Sequence, residues 1–184
     1  MTPDAPFVLD IGADHGHVAH ALGAVATERL PHRSGRADLT WVIADGLKPF
    51  RDVDVAVIAG MGALTIAGIL GAAPKPDVVV LHCPDDPRRL RRWLCTNGWR
   101  IEAEGLAREA GRFAEVIRAV PGTETAAGLA LEFGPKLPAD PLWIEHVDQL
   151  VGYWADIAAK TAGKAKDKHA EAVARVAWLR GALP

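Results

Sequence analysis

Short runs of Val, Ile, Leu and Ala alternate with longer segments in which apolar residues recur at helical spacing. Runs that are apolar at nearly every position, such as residues 53–59 and 77–82, are typical of strands covered on both faces of a parallel sheet. The pattern predicts strands at about 6–11, 24–28, 40–44, 53–59, 77–82, 99–105, 112–120 and 128–133, and helices at about 15–23, 62–71 and 86–97. Alternating strands and helices followed by strands alone predict an α/β domain with a doubly wound, mostly parallel sheet and an antiparallel end.

The strand pattern stops at the sequence Gly-Pro-Lys-Leu-Pro of residues 134–138, and only helical spacing follows. Apolar residues recur from Leu142 to Ala158 and again from Ala170 to Leu179, on either side of a lysine-rich segment. We therefore expect two domains, residues 1–136 and a C-terminal helical hairpin of residues 137–184.

Composition and charge limit the size of the domain, the cellular compartment and the partners that can be expected. The chain has 184 residues and a formal net charge of −2, which suits one α/β domain with a small appendage and argues against a protein that coats nucleic acid. Two cysteines, Cys83 and Cys95, make no disulfide framework, so a cytoplasmic location is expected. We find no signal-peptide pattern and no apolar run of about 20 residues, so no membrane partner is predicted.

The most informative segment is residues 7–16, where an apolar run ends in Asp10-Ile-Gly12-Ala-Asp14-His15. A strand, a glycine turn and a helix N-terminus in this order offer free N–H groups and a positive dipole end to a nucleotide or nucleoside. The Gly-x-Gly-x-x-Gly pattern is incomplete, and two carboxylates repel a pyrophosphate but suit an amino group or a sulfonium. We therefore expect S-adenosylmethionine as the cofactor, and a dinucleotide only as the second choice.

This segment and the order of elements resemble a Rossmann-like class I S-adenosylmethionine-dependent methyltransferase. Three further segments sharpen the likeness, namely Asp45-Gly46-Leu47, Ile58-Ala59-Gly60-Met61-Gly62 and residues 81–104. Together they resemble the bacterial tRNA (adenine-22-N1)-methyltransferase family over about residues 7–120, and the helical tail is similar in pattern to that family's C-terminal extension. The resemblance implies methyl transfer to N1 of an adenine in tRNA, with S-adenosylmethionine as cofactor and tRNA as partner.

Three positions depart from the family pattern. Only about a dozen residues, around Leu30 to Leu39, join the second and third strands, where the family has a helix. The family's Gly-Met-Gly-Gly ends in Ala63, and its Tyr-Glu pair near the seventh strand is Ala114-Glu115. The chain is therefore interpreted as a shortened member.

Acidic residues that follow consecutive strands are the candidate cofactor ligands. Asp10 would bind the methionine amino group and hold the glycine turn, Glu28 would accept the ribose hydroxyls, and Asp45 would accept the adenine amine. The alternatives are a helix cap, a solvated carboxylate and an ordinary turn, respectively. The predicted cofactor-binding set is Asp10, Gly12, Asp14, His15, Glu28, Asp45, Gly46, Leu47, Ala59 and Gly60.

The methyl acceptor is expected beside Gly60-Met61-Gly62, where small residues leave room for a planar base; close strand–helix packing is the alternative. N1 of adenine has an in-plane lone pair and needs no strong base, so catalysis would depend on positioning. Asp14 could stabilise the positive charge that grows on the base, or could merely cap the following helix. The predicted catalytic set is Asp14, Gly60, Met61 and Gly62.

Basic residues form three separate segments that could contact RNA phosphates, or could be solvated surface. One lies between the second and third strands, one lies on the helix after the fifth strand and also contains Arg91, and one is the lysine-rich turn of residues 160–168. The first two supply the predicted RNA-binding set, which is Arg29, Arg33, Arg36, Arg88, Arg89 and Arg92. His15, His17 and His20 lack supporting cysteines or acids, so no metal site is predicted.

Three functions compete at this point. The first is a tRNA adenine N1-methyltransferase, with position 22 expected. The second is an impaired protein of this fold that binds RNA or S-adenosylmethionine without transferring a methyl group, and the third is a methyltransferase acting on another RNA or a small molecule. A dinucleotide oxidoreductase ranks last because its glycine pattern is incomplete. Both a monomer and a homodimer remain open.

Overall fold

The computed structural model describes residues 6–31, 37–109 and 111–183. Within them, seven strands form one sheet in the order β3-β2-β1-β4-β5-β7-β6. The first five strands pair in parallel, whereas β7 is antiparallel to both β5 and β6. This confirms the predicted doubly wound sheet with an antiparallel end. The strands are β1 (Val8–Ile11), β2 (Val25–Glu28), β3 (Trp41–Ile43), β4 (Val55–Ala59), β5 (Val78–His82), β6 (Trp99–Glu109) and β7 (Arg112–Pro121).

Helices cover the sheet and form the C-terminal part of the chain. The boundaries follow from local chemistry: Asp86 accepts the Arg89 N–H at 3.0 Å to begin α3, and Gly23 ends α1 in the left-handed conformation. No helix in the described segments is long and apolar enough to cross a bilayer. The helices are α1 (His17–Leu22), α2 (Ala63–Gly71), α3 (Pro87–Thr96), α4 (Gly128–Glu132), α5 (Trp143–Thr161) and α6 (Lys166–Gly181), with a 3₁₀ turn at Leu137–Ala139.

The predicted strand at 128–133 is wrong, because this segment forms helix α4. A short apolar run does not distinguish a buried strand from a buried helix. Tertiary structure decides here: the edge of β5 away from β4 is already paired with β7, and α4 packs on α3 instead. Leu131 enters the core, and the Glu132 carbonyl accepts a hydrogen bond from Arg91 Nη1 at 3.0 Å.

Two large apolar clusters and a small one around Ala19, Ala24 and Ala26 stabilise the described part of the chain. The larger one packs helices against the sheet and includes the fully buried Trp99. The second lies within the C-terminal helices, where α5 and α6 form the predicted hairpin around Trp143 and Trp154. Phe133 also belongs to this second cluster, so its packing reaches back across residue 136. The division into domains 1–136 and 137–184 stays a prediction.

Candidate active site

The turn after β1 is tied to the end of β2. The Gly12 and Ala13 N–H groups donate to the Thr27 carbonyl at 3.0 and 2.9 Å, and the Thr27 hydroxyl donates to the Asp10 carbonyl at 3.2 Å. Gly12 has φ +71°, and Asp14, at φ 47°, is the one non-glycine residue with positive φ among the described residues. Aspartate tolerates this conformation better than most side chains, so the sequence supports a tight turn that leaves backbone exposed.

Asp10 caps α1 from beneath this turn. The residue is 3% exposed, and its Oδ2 accepts the N–H of Ala19, the third residue of the helix, at 2.9 Å. Burial raises the pKa of Asp10, and the Ala19 hydrogen bond partly opposes that rise. The helix-cap alternative is therefore realised in the structure. The contact of Asp10 with a cofactor amino group stays a prediction.

Asp14 does not occupy the N-cap position of α1, since the helix begins after Gly16. Its exposed carboxylate lies 3.6 Å from Nε2 of His15, which is also exposed. The capping alternative for Asp14 therefore fails at this position, and both side chains stand at the surface of the turn. Their roles toward a ligand stay predictions.

The loops after β1 and β4 meet where the strand order reverses, which is where ligands bind in open α/β sheets. A Cβ atom on Gly12 would lie 2.1 Å from Cε of Met61, so the methionine side chain covers the glycine turn. The structure thus brings together the two segments that the sequence singled out, the first turn and Gly60-Met61-Gly62. Ala59, the last residue of β4, leads into the second of them.

Two more predicted cofactor residues lie at the same edge of the sheet. Glu28 ends β2, and its Oε1 accepts the Arg29 N–H at 2.9 Å. Asp45 follows β3, is exposed, and receives a hydrogen bond from Lys48, which lowers the pKa of the Asp45 carboxyl. The carboxyl ends of adjacent parallel strands therefore present Asp10, Glu28 and Asp45 in a row.

Gly46 and Leu47 shape the loop that carries Asp45. Gly46 has φ +61°, and a Cβ there would come within 3.1 Å of Ile69 on α2. Leu47 is 2% exposed and packs in the sheet core. Their proposed contacts with an adenine ring stay predictions, while their packing explains how the loop is held.

Asp85, in the loop after β5, lies beside the candidate site, and the sequence interpretation did not include it. Its Oδ1 accepts the N–H of Ala63, the first residue of α2, at 3.0 Å and the Cys83 thiol at 2.9 Å. These hydrogen bonds lower the pKa of the Asp85 carboxyl, and the one from the Cys83 thiol has the largest effect. Burial, together with the hydrogen bond to Asp85, raises the pKa of the Cys83 thiol to about 12. A Cβ on Gly62 would lie 2.8 Å from Oδ2, so glycine permits the approach. Its place after β5, beside β4, was the available signal.

The structure also corrects the interpretation of the arginine run, because Arg91 is fully buried rather than solvated. It donates to Glu104 Oε1 at 2.7 Å and to Glu115 Oε2 at 2.6 Å. Burial opposes ionisation of Glu115, but Arg91 and His146 outweigh it and lower the pKa of Glu115 to about 2. Arg91 therefore stabilises the interior and does not face RNA. Its helical spacing with the buried Leu94 was the sequence signal for this.

The other predicted RNA contacts differ in their surroundings. Arg88 lies over the Trp154 ring at 5.1 Å, Arg92 pairs with Glu132 at 3.2 Å, and Arg29 and Arg89 are exposed. Contacts with RNA stay predictions for all of them. Arg33 and Arg36 lie outside the described residues.

The three histidines of the first segment do not form a cluster with acids or cysteines. His20 pairs with Asp38 at 3.1 Å, while the rings of His15 and His17 are 6.1 Å apart. Across residues 6–31, 37–109 and 111–183, no group of three or more His, Cys, Asp or Glu side chains could hold a metal ion.

Solved structures with the same fold cover almost the whole chain. Sp1610 of Streptococcus pneumoniae is 22% identical with a TM-score of 0.82, covering 100% of this chain and 95% of that one. The Bacillus subtilis m1A22 tRNA methyltransferase TrmK is 21% identical with a TM-score of 0.78, covering 99% and 94%. Mycoplasma capricolum TrmK, in complex with the cofactor product S-adenosyl-homocysteine, is 18% identical with a TM-score of 0.77, covering 97% and 91%.

Sequence comparison identifies the family. No curated protein matches the chain. The family model described as tRNA (adenine(22)-N(1))-methyltransferase, TrmK, matches residues 8–180, which include the glycine turn, the loop after β4 and the helical hairpin. The chain therefore belongs to the tRNA (adenine(22)-N(1))-methyltransferase family.

Proposed function

We propose that this protein transfers a methyl group from S-adenosylmethionine to N1 of adenine 22 in tRNA, and that it does so in the cytoplasm. The observation that carries the proposal is the family match over residues 8–180, nearly the whole chain. The Mycoplasma capricolum relative holds the cofactor product, and we extend that cofactor to this chain. Family membership favours this function over the dinucleotide oxidoreductase. The alternative that binds RNA or S-adenosylmethionine without transferring a methyl group is distinguished by the transfer experiment below.

The residues at the carboxyl edge of β1, β2 and β3 fit the proposed cofactor. Gly12, with no side chain and φ +71°, lets a ligand approach the backbone, and the flexible Met61 side chain is what lies over it. Glu28 and Asp45 offer carboxylate oxygens at the ends of the neighbouring strands, which suit hydroxyl and amine donors. Asp10 would hold the turn in place beneath them.

When bound, S-adenosylmethionine supplies an electrophilic methyl group, which N1 of adenine takes together with the positive charge while the C–S electron pair stays on sulfur. The protein's task is then to position the base and stabilise the charge that it gains. The exposed carboxylates of Asp14 and Asp85 lie in the loops after β1 and β5, on the two sides of Gly60-Met61-Gly62. We expect these carboxylates to favour the charged product.

Calorimetric titration of S-adenosylmethionine tests the cofactor site. We expect micromolar binding by the wild-type protein and at least tenfold weaker binding by Glu28→Gln, because the amide keeps only one acceptor oxygen for the two ribose hydroxyls and turns an NH2 donor toward the other. Asp77→Asn is the matched control, since Asp77 is an exposed carboxylate that precedes β5 at the opposite edge of the sheet. Well-folded wild-type protein that does not bind would contradict the proposal.

Methyl transfer to a tRNA transcript tests the substrate. We expect incorporation into a transcript with adenine at position 22 and none when guanine replaces that adenine, since N1 of guanine carries a proton. Binding of the cofactor and the tRNA without any transfer would instead support the non-catalytic alternative.

A further inference from the structure

A cavity of about 400 Å³ lies between the carboxyl end of β5, the amino end of the antiparallel strand β7 and the helical hairpin. Its size falls in the range of about 300–1,000 Å³ typical of small-ligand pockets. Asp85 lines one side, and the same carboxylate accepts the N–H of Ala63, the first residue of α2 after the β4 loop. Asp85 therefore connects the wall of the cavity to the helix that follows the loop where the methyl acceptor is expected. The cavity lies on the side of that loop away from Glu28 and Asp45.

Aromatic side chains from both parts of the chain line this cavity. Phe113 comes from β7, and Tyr153 and Trp154 come from α5. Trp154 is already covered, because the Arg88 and Arg175 guanidinium groups lie 5.1 and 4.5 Å from its ring centre. Tyr153, by contrast, is 58% exposed and meets Trp154 only edge-on, at 5.2 Å. Tyr153 thus has exposed surface that a planar ring can contact.

A buried histidine faces the same cavity without a complete set of hydrogen bonds. The His146 side chain is 6% exposed, and its Nδ1 has no hydrogen-bond partner among the described residues. Nε2 lies 3.3 Å from Glu115 Oε1, at ion-pair distance, and forms no other contact with a hydrogen-bond acceptor or donor among the described residues. Buried polar atoms normally find partners, so an unpaired one that lines a cavity points to a ligand with a complementary donor or acceptor.

We propose that this cavity receives the purine base of the nucleotide that is methylated, and that α5 of the hairpin forms part of its wall through His146 and Tyr153. The proposal rests on the proposed function and identifies where the substrate base binds. A planar base would stack on Tyr153, and its edge would reach the polar atoms of His146. The hairpin is then part of the acceptor site as well as an appendage to the sheet.

The charges of the cavity suit the product. A base methylated at N1 is a cation, and Glu115, which lines the cavity, stays ionised beside Arg91. Arg88 and Arg112, which line the cavity too, would repel the charged base but suit the phosphates on either side of it. The cavity thus combines contacts for the base with contacts for its backbone.

The test measures whether a change in the protein and removal of the base from the tRNA affect the same binding contact. Affinity is measured for a tRNA transcript with adenine at position 22 and for the same transcript lacking only that base. We expect removal of the base to weaken binding by wild-type protein about tenfold, but by Tyr153→Ala less than about twofold, since the stacking partner is already gone. Ile144→Ala, on the same helix, 51% exposed and outside the cavity, should behave like wild type.

Methylation by the same proteins separates the possible failures. Tyr153→Ala should lower kcat/KM for tRNA about tenfold while cofactor binding stays unchanged, and His146→Ala should do the same if it folds. Suppose that the wild-type protein methylates the transcript, but removal of the base weakens binding equally in the wild-type protein and in Tyr153→Ala. This result would overturn the assignment of the base to the cavity and would leave the proposed function standing. Wild-type protein that never methylates the transcript would overturn the proposed function and this assignment with it.

Discussion

Arg91 and Arg92 are neighbours on α3 with opposite surroundings. Arg91 is fully buried between Glu104 and Glu115, whereas the Arg92 side chain is 56% exposed and pairs with Glu132. Removing one partner of a buried ion pair leaves an uncompensated charge in the interior, while exposed pairs contribute little because water and salt screen them. Environment, and not residue type, therefore decides what each arginine does.

Replacing the two arginines separately should show this difference. We expect Arg91→Ala to lower the free energy of unfolding by about 3–5 kcal/mol and Arg92→Ala by about 1 kcal/mol or less. Urea unfolding followed by circular dichroism measures both. Similar losses in the two variants would contradict the buried ion-pair network.

Glu115 should make stability depend on acid pH. Its pKa of about 2 lies below the ordinary value of 4.5, so its stabilising contribution is complete above 4.5 and is lost as the pH falls toward 2. The full contribution is on the order of 3 kcal/mol. Burial raises the pKa of Glu104, which acts in the opposite direction, so the comparison must be made against Glu115→Gln.

We expect the wild-type protein to be more stable than Glu115→Gln at neutral pH, and the gap to narrow as the pH approaches about 3. Denaturant midpoints measured across this range provide the test. A gap that does not change with pH would show that Glu115 acts only through packing.

At the scale of elements, the turn between β1 and α1 depends on a glycine for two reasons. Gly12 is in the left-handed conformation, and Met61 occupies the space that a Cβ would need. Gly23, at the other end of α1, has φ +63° but nothing within 4 Å of the Cβ position. The two glycines thus share a backbone conformation and differ in their neighbours.

Gly12→Ala and Gly23→Ala form a matched pair. Each should lose about 1–2 kcal/mol of stability from backbone strain, but only Gly12→Ala should also lose cofactor affinity, because it displaces Met61 from the turn. Calorimetry with S-adenosylmethionine and thermal unfolding separate the two effects. Equal cofactor affinity in both variants would place the cofactor away from this turn.

At the scale of the whole molecule, tRNA binding has to come from local basic surface, since the formal net charge is −2. On α3, Arg89 is exposed, close in sequence to the cavity residue Arg88. Arg51 is also exposed but precedes β4, at the opposite edge of the sheet. A tRNA that delivers a base to the cavity would pass Arg89 and not Arg51.

Salt dependence should distinguish these two arginines. Each phosphate contact contributes about 0.7–0.9 to the slope of log K against log salt concentration, so Arg89→Ala should reduce the slope by roughly that amount and Arg51→Ala should leave it unchanged. Filter binding at several salt concentrations measures the slope. A reduced slope in Arg51→Ala alone would place the RNA on the other edge.

Local sequence patterns were sufficient to predict much of the structure of this protein. The parallel strands, the turn at Gly12 and the α5–α6 hairpin follow from apolar runs, glycine positions and helical spacing within a few residues, and the structure has all three. The motifs from Asp10 to Gly62 also identified the family, because each follows a strand at a recognisable place. These features depend on residues that are close together in the chain, so they can be predicted from the sequence directly.

Tertiary structure alone decided the rest. Segment 128–132 became a helix because the edge of β5 was already paired with β7, and Arg91 became buried because Glu115, 24 positions away, met it there. Asp85 meets the start of α2 across 22 positions, and the cavity joins β5 and β7 to α5. These contacts depend on partners that only folding brings together, and their energies come from burial, which no local pattern specifies.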